Sequence, residues 1–145
     1  MMKWLIGATF CTGLTTVSAH ASNLDVAGIW LTADRDGQVE IRDCGNNTPC
    51  GQLAWYDPAK QGGPLDSRNH NPSLQRRSLM QVPIFWGFTR YGGAWTGGNI
   101  YNPETGQTFK SKLRLGANGD LIVTGCFGPI CITRPWTRLT RRMQP

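Results

Sequence analysis

Long apolar runs are missing from this 145-residue sequence. The one uncharged apolar stretch of note, from Trp4 to about Leu14, falls well short of the about 20 residues that a transmembrane helix needs, and no later segment comes near that length. Acids are scarce, nine against fifteen Lys and Arg, yet the formal charge of +6 is not gathered into a basic block: only Arg76-Arg77 and Arg141-Arg142 are adjacent. Such scatter marks a solvated surface and argues against nucleic acid as a partner. Nine scattered acids offer no carboxylate pair with glycosidase logic, and neither a Ser-His-Asp pattern nor a nucleophile elbow is present. The cysteine pairs are spaced more widely than the C-x-x-C of thioredoxin-like chemistry.

What is present begins with "MMKWLIGATFCTGLTTVSAHA": one Lys, an apolar core, then Ala19-His20-Ala21 as a small-residue cleavage site. This reads as a secretory signal peptide over residues 1–21, leaving 22–145 as a single exported domain, periplasmic or secreted. Phe10 before Cys11 argues against a lipid anchor. Loss of Lys3 takes the charge from +6 to +5, and the mature chain retains His70 as its imidazole together with Cys44, Cys50, Cys126 and Cys131.

An even cysteine count in an oxidising compartment reads as disulfides, and four cysteines allow three pairings. Loop entropy favours crossing, about 4.6 kcal/mol for Cys44 with Cys126 against about 2 kcal/mol for the small Cys126–Cys131 ring. Chain proximity favours the local pairs across "GNNTP" and "FGPI", and these are expected. Zinc on the four thiolates would compete with oxidation, so no metal or cofactor is expected.

Gly and Pro punctuate short runs of β-branched and aromatic residues: "GIWLTA", "QVEIR", "GQLAWY", "VPIFWGFTR", "WTGGNIYN", "GQTFKSKLRL", "DLIVTGCF" and "ICITRPWTR". In "TFKSKLRL", Phe109, Leu113 and Leu115 alternate with Lys110, Lys112 and Arg114, as in a strand with one wet face. Hairpin signals join the runs, notably "NPETG" and "GANGD". The predicted fold is all-β, an antiparallel meander of about eight strands closing into a small barrel. A β-sandwich is the alternative. One insertion, residues 57–81, lacks strand character; within it Asn71 caps a short helix that opens at Pro72.

Gly28-Ile29-Trp30 in the first strand and Arg138 in the last resemble the G-x-W and terminal Arg of lipocalin-like (calycin) barrels. That resemblance implies barrel closure by Gly28, Trp30, Trp136 and Arg138. The motifs "CGNNTPCGQLAW", "DSRNHNPSLQRRSLM", "GGNIYNPETGQTFKSKLRL" and "GCFGPICITRPWTR", in this order, resemble the exported bacterial family called domain of unknown function 2147, over Gly28 to Arg138. Two positions depart from it. Gln81 stands where the family commonly has Gly, and Pro135 stands where a ladder donor is usual, which predicts a bulge or strand edge there.

The aromatics carry the functional reading. Trp30, Trp55, Trp86, Phe88, Trp95, Tyr101, Phe109 and Trp136 fall on predicted strands and either fill the barrel or line a cup. Trp55, Trp86, Phe88, Trp95, Tyr101 and Phe109 are the candidate ligand residues, with Asp66, Asn69, His70 and Asn71 as a loop at the rim. The expected function is non-enzymatic binding of a small hydrophobic or amphipathic ligand. The alternative is an envelope-associated structural or stress-related protein acting through a protein or polysaccharide partner. A hydrolase-like site around Asp66 and His70 is the weakest reading, since Asp66, Asn69 and Asn71 also suit backbone hydrogen bonding and capping.

Overall fold

The computed structural model describes residues 24–141, so the expected leader, residues 1–21, lies outside the described residues. Nine antiparallel strands follow in order: β1 (Gly28–Leu31), β2 (Gly37–Asp43), β3 (Pro49–Tyr56), β4 (Pro83–Trp86), β5 (Thr89–Tyr91), β6 (Ala94–Asn102), β7 (Gln107–Leu115), β8 (Leu121–Phe127) and β9 (Ile130–Leu139). β9 returns to β1 and β4 pairs with β6, so β1–β4 and β6–β9 close an eight-stranded barrel while β5 hangs on β6 as an extra strand. Closure leaves no sandwich edge, and the meander expected from the hairpin signals is the fold.

The alternation in β7 works as expected. Ser111 and Leu113 are buried while Lys110, Lys112 and Arg114 are exposed. Trp30, Val39, Ile41, Phe85, Leu113 and Leu121 fill the core from five different strands. Burying a side chain of this size removes enough apolar surface from water to contribute about 1.5–3 kcal/mol.

"VPIFWGFTR" forms two strands rather than one. Gly87 takes a left-handed φ of +78° and turns the chain. Phe88 then packs onto Gly98, where an added Cβ would lie 2.4 Å from the ring. The bulge in β6 between Trp95 and Gly98 receives that turn.

The insertion also differs from expectation. Asn71 does cap, its side chain accepting from the Ser73 backbone N–H at 3.1 Å. The turn that follows, however, is a single 3-10 turn over Pro72–Leu74. Tertiary hydrogen bonds end it: the Gln75 side-chain amide donates to the Asn69 carbonyl at 2.8 Å, and the Asp66 and Leu79 N–H groups donate to Arg77 and Pro64 carbonyls at 3.0 and 2.9 Å. The short helix is instead α1 (Pro58–Gln61), capped by Asp57 and stopped by Gly62 at φ +72°. Gln81, the departure from Gly, sits at φ +69°, which explains why glycine suits that position.

The closed end of the barrel is built on Gly28-x-Trp30 and Arg138. The Arg138 guanidinium lies 4.1 Å over the Trp30 ring and donates to the carbonyls of Ala27 at 2.7 Å and Asp25 at 3.2 Å. Trp30 Nε1 donates to the Val26 carbonyl at 2.9 Å. A Cβ on residue 28 would lie 2.6 Å from Arg138 Nη1, so the guanidinium can occupy its place only over glycine. Beside it the Asp25 carboxylate accepts from Arg90 Nη1 at 3.0 Å and Trp95 Nε1 at 3.1 Å. Burial acts to raise the Asp25 carboxyl, but these two donors outweigh it and hold the group below its ordinary value.

Pro135 occupies a strand edge. β9 keeps unbroken register with β8, Ile122 facing Pro135, whereas β1 pairs with β9 over Thr137, Arg138 and Leu139 alone. The missing N–H therefore costs no ladder bond to β1.

Candidate ligand cup

The other end of the barrel carries the β1–β2 turn, the 57–81 insertion, the β6–β7 turn and the β8–β9 hairpin. Between them opens a cavity of about 380 Å3. Val39, Leu53, Ile84, Ile100, Phe109 and Val123 line it together with Trp136, the lining residue on β9 farthest from the hairpin tip, whose ring lies 5.3 Å from Phe85. Gly125 widens the cup: an added Cβ would meet only an Ile100 methyl, at 3.7 Å. Phe127, Ile130 and Ile132 extend the β8–β9 wall at the mouth, and Asp34, Asp36, Glu104 and Arg134 bring charge to the rim.

Two rim carboxyls are paired. The Thr32 hydroxyl donates to Asp36 Oδ1 at 2.6 Å, Lys60 Nζ stands 3.6 Å from Asp36 Oδ2, and the Asp36 and Glu104 carboxyls share a hydrogen bond. Burial works to raise Asp36, but Thr32, Glu104 and Lys60 together hold it below the usual range. Glu104 is pushed up, by burial first and by the Asp36 charge second. Of the two, Glu104 is therefore the carboxyl that keeps its proton to the higher pH.

The insertion is clamped to the barrel by Asp66. Its buried carboxylate accepts from the Tyr101 hydroxyl, from Asn69 Nδ2 at 2.9 Å and from Arg77 Nε at 2.9 Å. Burial and then Asp66 push the Tyr101 hydroxyl above the ordinary phenol range. The loop settles directly on the β6–β7 turn, where the Arg68 carbonyl would lie 1.7 Å from a Cβ on Gly106. Asn69 Oδ1 accepts from the Asn71 N–H at 2.8 Å, while His70 is exposed. Asp66 is thus committed to three donors, none of them His70.

The candidate ligand aromatics are spread over three hollows. Phe109 and Tyr101 border the cup; with Trp86 they also line an open outer groove of about 750 Å3 shared with Asn69, His70 and Asn71. Phe88 and Trp95 border a recess at the closed end, with Leu24 and Asp25. Trp55 is half-buried on β3 opposite Gln38 and lines none of these three hollows. The aliphatic walls, Gly125 and the acid pair were not singled out by sequence reasoning. A usable signal was the same-face series Phe127, Ile130, Ile132, Arg134, Trp136, which runs from the hairpin tip down into the cup.

Both cysteine pairs are local, Cys44 with Cys50 and Cys126 with Cys131. The second pair faces itself across β8 and β9, one position below the Phe127–Ile130 pair at the tip.

A closed eight-stranded antiparallel barrel, sealed at one end by Trp30 under Arg138 and open to an apolar cup at the other, is a lipocalin-like barrel. The chain belongs to the family described as uncharacterized protein conserved in bacteria (DUF2147), whose model matches residues 28–138. It is similar in structure to the Helicobacter pylori protein HP1028, described as belonging to the lipocalin family: TM-score 0.66, 25% identity, 79% of this chain and 82% of that one covered. No curated protein matches the chain.

Proposed function

We propose that this is an exported, non-enzymatic binding protein that holds a small hydrophobic or amphipathic molecule in the cup. The observation that carries the reading is an apolar hollow of about 380 Å3 that reaches from the rim down to Trp136. Ligand pockets begin at roughly 300 Å3, so the space admits a small ligand. Apolar walls beneath a rim of Asp34, Asp36, Glu104 and Arg134 suit a molecule with an apolar body and a polar end. The lipocalin description of HP1028 supports the binding reading. Two disulfides support folding where thiols oxidise, in keeping with the signal-peptide reading of residues 1–21.

Native mass spectrometry of protein taken from its own compartment tests the proposal by revealing a co-purifying molecule. Titration with a fluorescent fatty-acid analogue gives a second readout. Gly125→Phe projects a ring into the cup from a position where the first added carbon has room. Probe binding should fall by tenfold or more while the fold persists, roughly the effect of occluding one aromatic-sized apolar contact area. Unchanged probe binding in Gly125→Phe would overturn the cup assignment.

A further inference from the structure

We propose that the tip of the β8–β9 hairpin docks this protein on an anionic lipid surface. The hairpin leaves large apolar side chains in water: Phe127, Ile130 and Ile132 are 73%, 69% and 60% exposed. They lie on one face, Phe127 opposite Ile130 and Ile132 opposite Gly125. Support comes from one side alone. β7 continues alongside β8, and the Phe109 and Phe127 rings meet edge-on at 6.4 Å, whereas β9 from Ile130 to Trp136 is unpaired on the side of β1. The Cys126–Cys131 bond fixes the strands one pair below the tip, and Gly128 at φ +58° closes the turn. The exposed face is therefore a built feature of a short stapled hairpin.

Charge selects the occupant. Residues 107–139 carry five cations, Lys110, Lys112, Arg114, Arg134 and Arg138, against one acid, Asp120, which lies in the β7–β8 turn at the other end of the barrel. Lys110, Lys112, Arg114 and Arg134 are exposed, and none forms an ion pair among the described residues. The rim acids Asp34, Asp36 and Glu104 belong to the β1–β2 and β6–β7 turns. Lys110, Lys112 and Arg134 make the β7–β9 wall that carries the tip the basic side of the mouth, and that wall would turn toward negative headgroups. The three apolar side chains expose roughly 400 Å2, about half of one partner's share in a standard protein interface, so the patch is small for a protein partner. Interfacial insertion asks only for a few large apolar groups with cations behind them. Phe127, Ile130 and Ile132 also line the cup mouth, so docking would bring that mouth to the bilayer, whereas Lys110 and Lys112 lie outside the cup and separate the two readings.

Flotation with phosphatidylcholine vesicles, with and without phosphatidylglycerol, tests it. The protein should float with the anionic vesicles and come off as salt rises. Phe127→Ser/Ile130→Ser should abolish flotation. Lys110→Gln/Lys112→Gln should weaken it by roughly tenfold or more while leaving fatty-acid-probe binding intact, at about 1 kcal/mol for each cation near the surface. Circular dichroism and Tm confirm that each variant folds. Gly125→Phe should still float, which separates failure of the cup reading from failure of this one. The proposal is overturned if the wild type does not float with anionic vesicles, if the hairpin variant and the β7 lysine variant both float as well as it does, or if sedimentation shows that the hairpin serves a dimer of this chain instead.

Discussion

Gln81 shows how a single residue records a backbone demand. Its φ of +69° costs an L side chain roughly 1–2 kcal/mol, a strain that its N–H bond to the Leu53 carbonyl at 2.9 Å holds in place. Gln81→Gly should raise stability by about 0.5–1 kcal/mol after the added freedom of the unfolded glycine is subtracted, read from the urea midpoint at unchanged slope. The Asp36–Glu104 pair predicts a pH dependence. The raised Glu104 contributes stability below the ordinary carboxylate range and loses it as pH rises through its folded value; the lowered Asp36 contributes above that range and loses it as pH falls. Glu104→Gln keeps a donor toward Asp36 without a second charge. Its Tm should exceed that of the wild type near pH 7 and match it near pH 3, below the ordinary carboxylate values. A gain that grew on acidification would contradict the raised Glu104.

At the scale of elements, the β8–β9 hairpin joins two requirements, closing the barrel at Arg138 and walling the cup at Ile132. Cys126→Ser/Cys131→Ser should lower stability by about 2 kcal/mol, the loop entropy of so small a ring, and hydrogen exchange should quicken over Phe127–Thr133 ahead of the barrel strands. Peptide mapping of unreduced protein should recover Cys44 with Cys50 and Cys126 with Cys131. The strands were legible because a period of two states which residues face inward, as Lys110, Lys112 and Arg114 show by facing out. The same period does not say at which end of the barrel an inward aromatic lies. Phe88 and Trp95 flank the turns at the closed end, so they seal that end while Phe109 serves the mouth. Asn71 was legible as a cap, but the length of its turn was not, because the Gln75 side chain folds back on the Asn69 carbonyl and the Asp66 and Leu79 N–H groups bond Arg77 and Pro64 across the loop. The acid pair joins residues 36 and 104, which only the shared end of the barrel brings together.

The whole molecule separates stability from binding by placing them at opposite ends. Arg138 stacks on Trp30 and donates to two carbonyls at the closed end, yet it borders no part of the cup. Arg138→Ala should destabilise by about 2–3 kcal/mol, combining a cation–π contact with charged hydrogen bonds at a partly wet site. A ligand that binds only the folded barrel adds stability by mass action, about 2.7 kcal/mol when present at 100 times its Kd. The two effects should therefore add: Arg138→Ala lowers Tm, the fatty-acid probe raises the Tm of wild type and variant by similar amounts, and probe affinity measured below the transition is unchanged. Gly125→Phe should show the converse, a Tm that the probe no longer moves. If Arg138→Ala weakened the probe as much as it weakened the fold, the closed end would be coupled to the mouth through the Phe85–Trp136 layer between them, and the barrel would act as one unit rather than as a sealed base beneath an independent cup.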